Sequence, residues 1–489
     1  MNDLKHIKAQ PSYFITSRQR RILNDNKFME NITLRELISA INGQFVIGDP
    51  HSTIRGISID TRTIHRGDFY FAITGKNFDG HNFVKQALEK GASGIVITRH
   101  DIDLGNPFPA MPAVVKVADT FSALGNLAKY YRRKWQIPVV GITGSNGKTT
   151  TKEMIASILG QKGQLLKTEG NLNNQLGLPL TLLKMTGQDY CAVVEMGTSF
   201  PGEIQRLADI ACPSIAIVTN IGMAHLERFQ DQEGVFNEKK MLYAGLPPDG
   251  CAIVNVDDPY LTRLTSSLPC EVITIGIEHD AIVRAFKVDL WPGKPQFELK
   301  IENESISVSL PIHGQFNVYN ALAAAAVGWK MGFDLLQIKN GLEAFQSAGM
   351  RMEAKTLVSG VTVINDAYNA NPSSMRESLT SLVHSFPEKD KIVVLADMLE
   401  LGEQSELQHQ KLGEFIASQP FAKVFLFGPQ MEHALRALYS LNVKHFLNRE
   451  KLETEIKQSV TPGSIVFFKG SRGMRLEDTL QRLFAEDKI

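Results

Sequence analysis

The strongest chemical signal in the sequence is a glycine-rich turn between an apolar run and a helix-forming segment. Residues 139–151 read Val-Val-Gly-Ile-Thr-Gly-Ser-Asn-Gly-Lys-Thr-Thr-Thr. Backbone N–H groups of such a turn point at a polyphosphate, and the N-terminus of the following helix adds a favourable dipole. Lys148 would neutralise phosphate charge, and the Thr149 hydroxyl would bind Mg²⁺. The nucleotide-binding residues predicted here are Gly144, Ser145, Asn146, Gly147, Lys148, Thr149 and Thr150.

This turn is a variant of the general phosphate loop. The common pattern G-x-x-x-x-G-K-[ST] requires glycine at position 142, where this chain has Ile142, and the nearest glycines are Gly141 and Gly144. The turn predicts a site for ATP or GTP. By itself it does not separate a ligase from a kinase, a transporter ATPase or a switch protein.

Residues suited to hold magnesium follow two of the neighbouring apolar runs. Glu195 closes the run 192–196, and Asn220 and His225 follow the run 215–219. In an open parallel sheet, ligands gather beyond the carboxyl ends of the strands. Glu195 and His225 are therefore predicted to face the triphosphate held at Lys148. From its own position alone, His225 would more often be a structural loop histidine.

Short apolar runs alternate with helical segments along most of the chain, which predicts an α/β fold. Near-continuous hydrophobicity is typical of strands buried on both faces of a parallel sheet. The central strands are predicted at 139–143, 192–196, 215–219, 252–256 and 272–275. A later set is predicted at 361–365, 391–396, 424–427 and 465–469. Near the N-terminus, strands are predicted at 54–60 and 68–73.

The 489 residues suit three domains at roughly 100–200 residues each. We predict an N-terminal α/β domain at 31–110, a central P-loop parallel-sheet ATPase domain at 111–346, and a C-terminal Rossmann-like α/β domain at 347–489. Residues 1–30 carry six basic side chains but no apolar core of a signal peptide. They are predicted to be a flexible extension, with a targeting arm or a true start at Met29 as alternatives.

The composition excludes several classes of protein. Lys+Arg and Asp+Glu both total 52, so no overall field would gather nucleic acid or anionic lipid. No apolar stretch approaches the roughly 20 residues needed to cross a bilayer. The four cysteines form no C-x-x-C pair, which argues for a reducing compartment. We therefore expect a cytoplasmic enzyme without a membrane span or a nucleic-acid partner.

Four blocks of sequence resemble consecutive blocks of the Mur ligases. They are T-G-S-N-G-K-T-T at 143–150, G-N-L-N-N-Q-L-G-L-P at 170–179, E-M-G at 195–197 and T-N-I-G-M-A-H-L-E at 219–227. The resemblance covers nearly all of 33–489. It implies an ATP-dependent amide-bond-forming ligase, in which Glu195 and His225 bind Mg²⁺.

The resemblance also assigns a lysine. The segment 238–243 matches the place where Mur ligases put a lysine that can be carbamylated, and the pattern aligns it with Lys239. A carbamate would turn this cation into an anion able to hold a second Mg²⁺. The catalytic set implied is thus Lys148, Glu195, His225 and Lys239, with Thr149 completing the metal ligands. The alternative is that Lys239 is a helix-surface charge, since Lys240 adjoins it.

Further ATP contacts are implied by two later blocks. Block 313–320 resembles the one in which asparagines approach the nucleotide, although Asn317 and Asn320 would serve equally well as helix caps. Block 348–353 resembles the hinge into the C-terminal domain, where Arg351 would reach the phosphates. A surface ion pair with Glu353 is the alternative. Asp366 completes the implied ATP set.

Both ends of the chain resemble substrate-binding parts of the family. Segments 58–62, 66–68 and 79–81 resemble a UDP-sugar-binding domain, which without the resemblance would be interpreted as turns. Segments 365–375 and 394–402 resemble the C-terminal blocks of the members that add a dipeptide, and an Asp-Asn-Pro-Arg/Ala loop for a free amino acid is missing. The substrate-binding residues implied are Ser58, Thr61, Arg62, Asp79, His81, Asn174, Tyr368, Asn369 and Asn371.

The resemblance therefore implies a monomeric ligase that joins D-Ala-D-Ala to UDP-MurNAc-tripeptide for peptidoglycan synthesis. Its cofactors would be ATP and Mg²⁺, in two ions, and its reaction would pass through an acyl phosphate. One alternative is a relative with a different acceptor, such as an amino-acid-adding ligase or a folylpolyglutamate synthase. Another is a nucleotide-gated binding protein without turnover. The sequence leaves open lysine or diaminopimelate at the third peptide position.

Overall fold

The computed structural model describes residues 29–75, 78–99, 111–290, 294–438 and 442–484. The chain forms two compact units. The first takes in Met1–Ile142, Lys162–Ala216 and Met241–Gly250, and the second Thr143–Gln161, Ile217–Lys240 and Cys251–Ile489. The predicted extension 1–30 lies almost wholly outside the described residues. Within them, no helix is long and apolar enough to cross a membrane.

The N-terminal part of the first unit is built on a five-stranded sheet. Its strands follow one another in the order Gln44–Ile47, Ala113–Lys116, Gly94–Ile97, Phe69–Phe71 and Ile57–Ser58. Only the first pair is antiparallel. Two small antiparallel pairs accompany it, Ile32–Thr33 with Thr53–Ile54 and Thr74–Gly75 with Phe78–Asp79.

The first unit also contains three parallel strands that pair with one another, together with several helices. Strands Leu166–Lys167, Ala192–Glu195 and Val139–Thr143 are neighbours in that order. The helices are Leu34–Ile41, Val84–Glu89, Thr120–Arg133, Gly177–Leu182, Glu203–Ala211 and Met241–Ala244, with a 3₁₀ turn at Gly80–Phe83. Helix Leu34–Ile41 begins at a capping box, in which Thr33 and Glu36 satisfy each other's backbone N–H groups.

The second unit begins with the helix Lys148–Leu159 and further along the chain contains a group of five strands. Its strands run in the order Cys251–Asn255, Glu271–Gly276, Val283–Asp289, Gln296–Ile301 and Glu304–Ser309, and the last two pairings are antiparallel. Its helices are Leu226–Phe229, Gln232–Lys239, Phe316–Lys330 and Leu335–Glu343, with a 3₁₀ turn at Leu261–Leu264. Helix Phe316–Lys330 contains the alanine-rich run 321–327, which is wholly buried.

A six-stranded sheet forms the C-terminal part of the second unit. Its order is Glu353–Thr356, Thr362–Asn365, Ile465–Lys469, Lys391–Ala396, Lys423–Phe427 and Val443–Phe446. All pairings but the first are parallel. The helices are Pro372–Ser385, Ser405–Ala417, Met431–Leu435, Arg449–Ser459 and Leu476–Phe484, with 3₁₀ turns at Gly402–Gln404 and Arg472–Met474. Apolar side chains of these strands and helices form one core cluster.

The predicted strands of the central and C-terminal sheets are confirmed within one or two residues at each end. The single strand predicted at 54–60 is wrong. It is two short strands separated by Arg55 and Gly56, and a side chain at Gly56 would clash with the Asp68 carboxylate. The antiparallel strands between Val283 and Ser309 were not predicted, although they show the alternating burial of half-exposed strands.

Candidate active site

The glycine-rich turn connects the strand Val139–Thr143 to the helix Lys148–Leu159. Gly144 and Gly147 have φ values of 145° and 81°, which side-chain-bearing residues rarely adopt. A Cβ at Gly144 would clash with the Thr219 hydroxyl, and one at Gly147 with the Asn320 amide. The chain therefore needs glycine at both positions to form this turn against its neighbours.

Residues 219–222 follow the strand Ile215–Val218 and brace the turn. Ser145 N–H donates to the Asn220 carbonyl at 3.0 Å, and Asn146 N–H donates to the Asn220 side-chain oxygen at 3.0 Å. The Thr219 hydroxyl donates back to the Asn146 carbonyl at 2.5 Å. Asn220, which the sequence placed beside the metal ligands, thus holds the shape of the turn.

Polar groups of the turn remain available to a ligand. The Thr143 hydroxyl and the Asn146 Nδ2 are buried, and neither has a hydrogen-bond partner among the described residues. A buried polar group without a partner costs free energy, so such groups are expected to meet a ligand or water. Lys148 Nζ donates to the Gly144 carbonyl at 2.8 Å, so the ammonium already lies over the turn. These features fit a polyphosphate.

Arg351 contacts the first turn of the phosphate-loop helix. Its Nη2 donates to the Thr149 hydroxyl at 3.0 Å, and its guanidinium lies 3.9 Å from the centre of the Tyr368 ring. Glu353 instead accepts a hydrogen bond from Met350 N–H. Arg351 is therefore engaged beside the phosphate loop, and the alternative of a surface ion pair with Glu353 is wrong.

Asn317 and Asn320 lie within the helix Phe316–Lys330 and are buried. Asn320 accepts from the Thr151 hydroxyl at 3.1 Å and donates to Asn317 at 2.8 Å. Asn317 donates to the His313 carbonyl at 2.7 Å. Neither caps the helix, because its N-cap is Gln315. The pair connects this helix to the phosphate-loop helix.

Lys239 is buried at the end of the helix Gln232–Lys239, with 2% of its surface exposed. Burial, followed by the charge of Lys148, lowers the pKa of its ammonium well below the ordinary value. The next residue, Lys240, is half-exposed and donates to Asn237. The alternative of a surface charge is therefore wrong for Lys239. A buried amine with a lowered pKa is a better nucleophile than a solvated one.

His225 is the N-cap of the short helix Leu226–Phe229 and has a left-handed backbone. Its Nδ1 lies 2.6 Å from a carboxylate oxygen of Glu400, beyond the strand Lys391–Ala396. The hydrogen bond from His225 lowers the pKa of the Glu400 carboxyl. Nε2 remains the ring nitrogen with which His225 can bind a metal ion.

Glu195 lies at the end of its strand in the first unit and is 3% exposed. It pairs in register with Ile142, two residues before Gly144. The Asn173 amide donates to its carboxylate at 2.8 Å. The neighbouring Asn174 accepts hydrogen bonds from Leu176 and Gly177 N–H groups, so its side-chain oxygen starts the helix Gly177–Leu182.

The predicted UDP-binding side chains are hydrogen-bonded to neighbours within the N-terminal part of the first unit. The His81 ring is 1% exposed, with Nδ1 bonded to Asp79 at 2.6 Å and Nε2 accepting from Thr98 N–H at 3.0 Å. Arg62 donates to Asp60, and the Thr61 hydroxyl to Gln86. The Ser58 hydroxyl bonds the backbone of Asp60 in a tight turn.

The predicted residues of the C-terminal sheet group around its carboxyl edge. Asp366 accepts from Met352 N–H, the Ser378 hydroxyl and, at 2.5 Å, the buried Lys469 ammonium. Asn369 is exposed and accepts from Arg472 N–H. Asn371 caps the helix Pro372–Ser385, and its amide also donates to Asn146 at 2.8 Å.

Comparisons with known proteins assign the chain to a family. A model of the Mur ligase middle domain matches residues 142–328, one of the Mur ligase glutamate ligase domain matches 350–472, and one of the Mur ligase family catalytic domain matches 53–132. A UDP-N-acetylmuramoyl-tripeptide–D-alanyl-D-alanine ligase of Bacillus subtilis is 36% identical over 92% of this chain and 98% of the relative. The chain belongs to the Mur ligase family.

Other relatives support the same family assignment. The ligase of the same name from Escherichia coli is 34% identical over 93% of this chain and 99% of the relative. A crystal structure of MurF from Acinetobacter baumannii superimposes with a TM-score of 0.86 at 34% identity, over 94% and 99% of the two chains. One of MurF ligase from Thermotoga maritima in complex with ADP gives 0.78 at 28% identity, over 88% and 97%. The predicted α/β fold with three Mur ligase domains is confirmed.

Several site residues of this Mur ligase were missed by sequence reasoning. Thr143, Glu400 and Lys469 all stand inside motifs that the sequence singled out, but they were given no role. The signal for Lys469 is a charged residue at the carboxyl end of an apolar run, the same signal that identified Glu195, whereas Glu400 lies in the loop beyond the strand Lys391–Ala396. Among the described residues, no group of three or more His, Cys, Asp or Glu side chains is arranged as a metal site. The expected ligands include only two residues of these types.

Proposed function

We propose that this Mur ligase joins D-Ala-D-Ala to UDP-MurNAc-tripeptide, with cleavage of ATP to ADP and phosphate. The product is UDP-MurNAc-pentapeptide, a precursor of peptidoglycan. The proposed binding of ATP rests on the glycine-rich turn, in which buried polar atoms of Thr143 and Asn146 have no partner among the described residues. The acceptor and donor follow from the names of the relatives that match over nearly the whole chain.

In the first step, the terminal carboxylate of the tripeptide attacks the γ-phosphorus of ATP and ADP leaves. The Lys148 ammonium and the backbone N–H groups of the turn hold the phosphates, and Arg351 shifts from the Thr149 hydroxyl to the γ-phosphoryl group as it is transferred. Positioning and electrostatic stabilisation dominate such a transfer. Mg²⁺, held by Thr149, Glu195 and His225, would neutralise phosphate charge.

In the second step, the free amine of D-Ala-D-Ala attacks the acyl phosphate carbon. The C–O bond to phosphate breaks, phosphate leaves, and the amine loses a proton as the amide forms. The exposed Asn369, with Tyr368 and Asn371, is proposed to receive the acceptor at the carboxyl edge of the C-terminal sheet. This edge is where open parallel sheets bind ligands. Asp366, Asn317 and Asn320 complete the proposed ATP site.

Lys239 is proposed to carry a carbamate that holds a second Mg²⁺. The buried amine, with its lowered pKa, is suited to attack carbon dioxide and release a proton, and the anion formed would be neutralised by the metal and by Lys148. This proposal predicts a mass increase of one carboxylate on the peptide that contains Lys239, lost after acid treatment.

The UDP part of the donor is proposed to bind at Ser58, Thr61, Arg62, Asp79 and His81, with Asn174 near the peptide. Because His81 is buried and fully bonded, its contribution is to hold Asp79 and Thr98 in place. The domain bounds 31–110, 111–346 and 347–489 stay a proposal. We also propose a monomer in a reducing cytoplasm, and four free cysteines support the reducing compartment.

Phosphate release tests this function. The purified chain is supplied with ATP, Mg²⁺, UDP-MurNAc-tripeptide and D-Ala-D-Ala, and each is omitted in turn. Release that needs all four, with a product heavier by the dipeptide, supports the proposal. Release with a single free amino acid in place of the dipeptide would move the assignment to an amino-acid-adding ligase. If no phosphate is released with any of the acceptors, the proposed function is contradicted.

A further inference from the structure

A loop of the C-terminal sheet reaches the histidine that is proposed to bind metal. Residues 397–402 follow the strand Lys391–Ala396 and are tied to their own sheet. Met398 N–H donates to the buried His409 ring at 3.0 Å, and Leu399 N–H donates to the buried Ser471 hydroxyl at 2.8 Å. The loop is therefore held in a defined shape up to the residue before Glu400.

Glu400 contacts the segment 225–227 at two points. Its carboxylate lies 2.6 Å from Nδ1 of His225, and its carbonyl accepts from Glu227 N–H at 3.2 Å. Gly402 lies so close to Glu227 that an added Cβ would stand 3.0 Å from the Glu227 Cα. Backbone and side chain of the loop thus both dock on the start of the helix Leu226–Phe229.

The backbone at this contact is strained on both sides. Glu400 has φ 62° and His225 has φ 54°, and neither is glycine. A left-handed backbone at such residues costs free energy and persists only where the surroundings impose it. The Glu400 side chain is 58% exposed, so its ion pair contributes little to folding. The strain indicates a role other than stability.

We propose that Glu400 is a positioning residue for the metal site. Histidines that bind metal donate their other ring N–H to a carboxylate, which fixes the tautomer and the direction of the ring. Glu400 takes Nδ1–H of His225 and leaves Nε2 as the metal ligand. Metal binding then depends on docking of the loop 397–402 onto residues 225–227. This inference rests on the proposed role of His225.

The test is metal affinity without turnover. Mn²⁺ replaces Mg²⁺ as an electron-paramagnetic-resonance probe, and the full chain is titrated in the presence of ADP but without tripeptide or dipeptide. Glu400→Ala is expected to weaken Mn²⁺ binding about 10-fold, the effect typical of losing such a carboxylate. The matched control is Glu403→Ala, an exposed carboxylate in the 3₁₀ turn that follows the loop, which is expected to leave the affinity unchanged.

Two further measurements separate the possible failures. The thermal unfolding temperature of Glu400→Ala should stay within a few degrees of that of the parent. A purely structural role of Glu400 would instead lower the unfolding temperature without weakening Mn²⁺ binding to the folded chain. His225→Ala should weaken Mn²⁺ binding at least as much as Glu400→Ala. If His225→Ala weakens binding and Glu400→Ala does not, the positioning role is wrong and the metal assignment stands. If neither does, the metal assignment of His225 fails as well.

Discussion

The phosphate loop and the N-terminal segment 58–81 use polar side chains in opposite ways. Around the loop, Thr143 and Asn146 keep buried polar atoms without partners, and Arg351 contacts a hydroxyl expected to bind metal. In segment 58–81, the side chains of Thr61, Arg62 and His81 are hydrogen-bonded to neighbours in the N-terminal part of the first unit. The loop is thus organised for a ligand, whereas the N-terminal side chains first maintain a fold.

Because of this difference, mutations in the two regions are expected to have different effects on activity and on stability. Substitutions around the loop should abolish chemistry while the protein stays folded. Substitutions in the N-terminal segment should destabilise the fold, and should change substrate binding as a consequence.

The largest effect is expected for Lys148→Met. Loss of the ammonium over the turn should lower kcat about 10³-fold, since it removes a charge that stabilises phosphoryl transfer. Thermal unfolding should move by only a few degrees. Lys162→Met, an exposed lysine beyond the same helix, serves as the control in phosphate-release kinetics. A large drop in stability for Lys148→Met would mean that the loop, like the N-terminal segment, maintains the fold, and would contradict the contrast between the two regions.

Lys239→Met sharpens the same contrast. Methionine fills the space of the lysine stem without a buried amine, so the fold should gain about 0.5–2 kcal/mol while activity falls by about 10²-fold or more. Because the pKa of Lys239 is lowered, the stability of the parent should decrease as the pH falls and the buried amine becomes protonated. Urea unfolding across pH, beside the half-exposed control Lys240→Met, measures both effects. Retained activity would refute a role for Lys239 in the reaction.

His81→Ala tests the N-terminal side of the comparison. It removes the acceptor of Thr98 N–H and the partner of Asp79, so the fold should lose about 2–4 kcal/mol. KM for the UDP-linked donor should rise more than kcat falls. His51→Ala, at an exposed position, is the control in thermal unfolding. Unchanged stability together with lost donor binding would mean that His81 touches the substrate.

The smallest effect is expected for Glu36→Gln in the first helix. The ion pair with Lys134, then the hydrogen bond from Thr33 N–H, lower the pKa of Glu36 to about 2. A carboxyl group whose pKa is lowered on folding stabilises the fold when the pH is above the ordinary carboxyl pKa. This contribution is lost as the pH falls toward 2. Allowing for partial exposure, the variant should lose about 1 kcal/mol at pH 7. The difference should disappear near pH 2, and a difference that persists there would exclude the ion pair as its cause.

The sequence predicted the local features of the site and much of the fold. The phosphate loop could be identified because its chemistry lies in one continuous turn, and the parallel strands because they are buried on both faces. The antiparallel strands Val283–Asp289 to Glu304–Ser309 were missed, since they are half-exposed and show only alternation. Contacts such as Glu400 with His225 and Arg351 with Thr149 join residues 175 and 202 positions apart, and spacing alone carries no such information.

The central claim is that the tripeptide carboxylate is activated as an acyl phosphate at the phosphate loop. The direct test uses UDP-MurNAc-tripeptide labelled with ¹⁸O in its terminal carboxylate, incubated with ATP, Mg²⁺ and D-Ala-D-Ala. Because one carboxylate oxygen bonds to phosphorus and leaves with it, mass spectrometry should find one ¹⁸O in each phosphate released, and the other in the new amide. Phosphate without ¹⁸O, formed together with pentapeptide, would contradict the account.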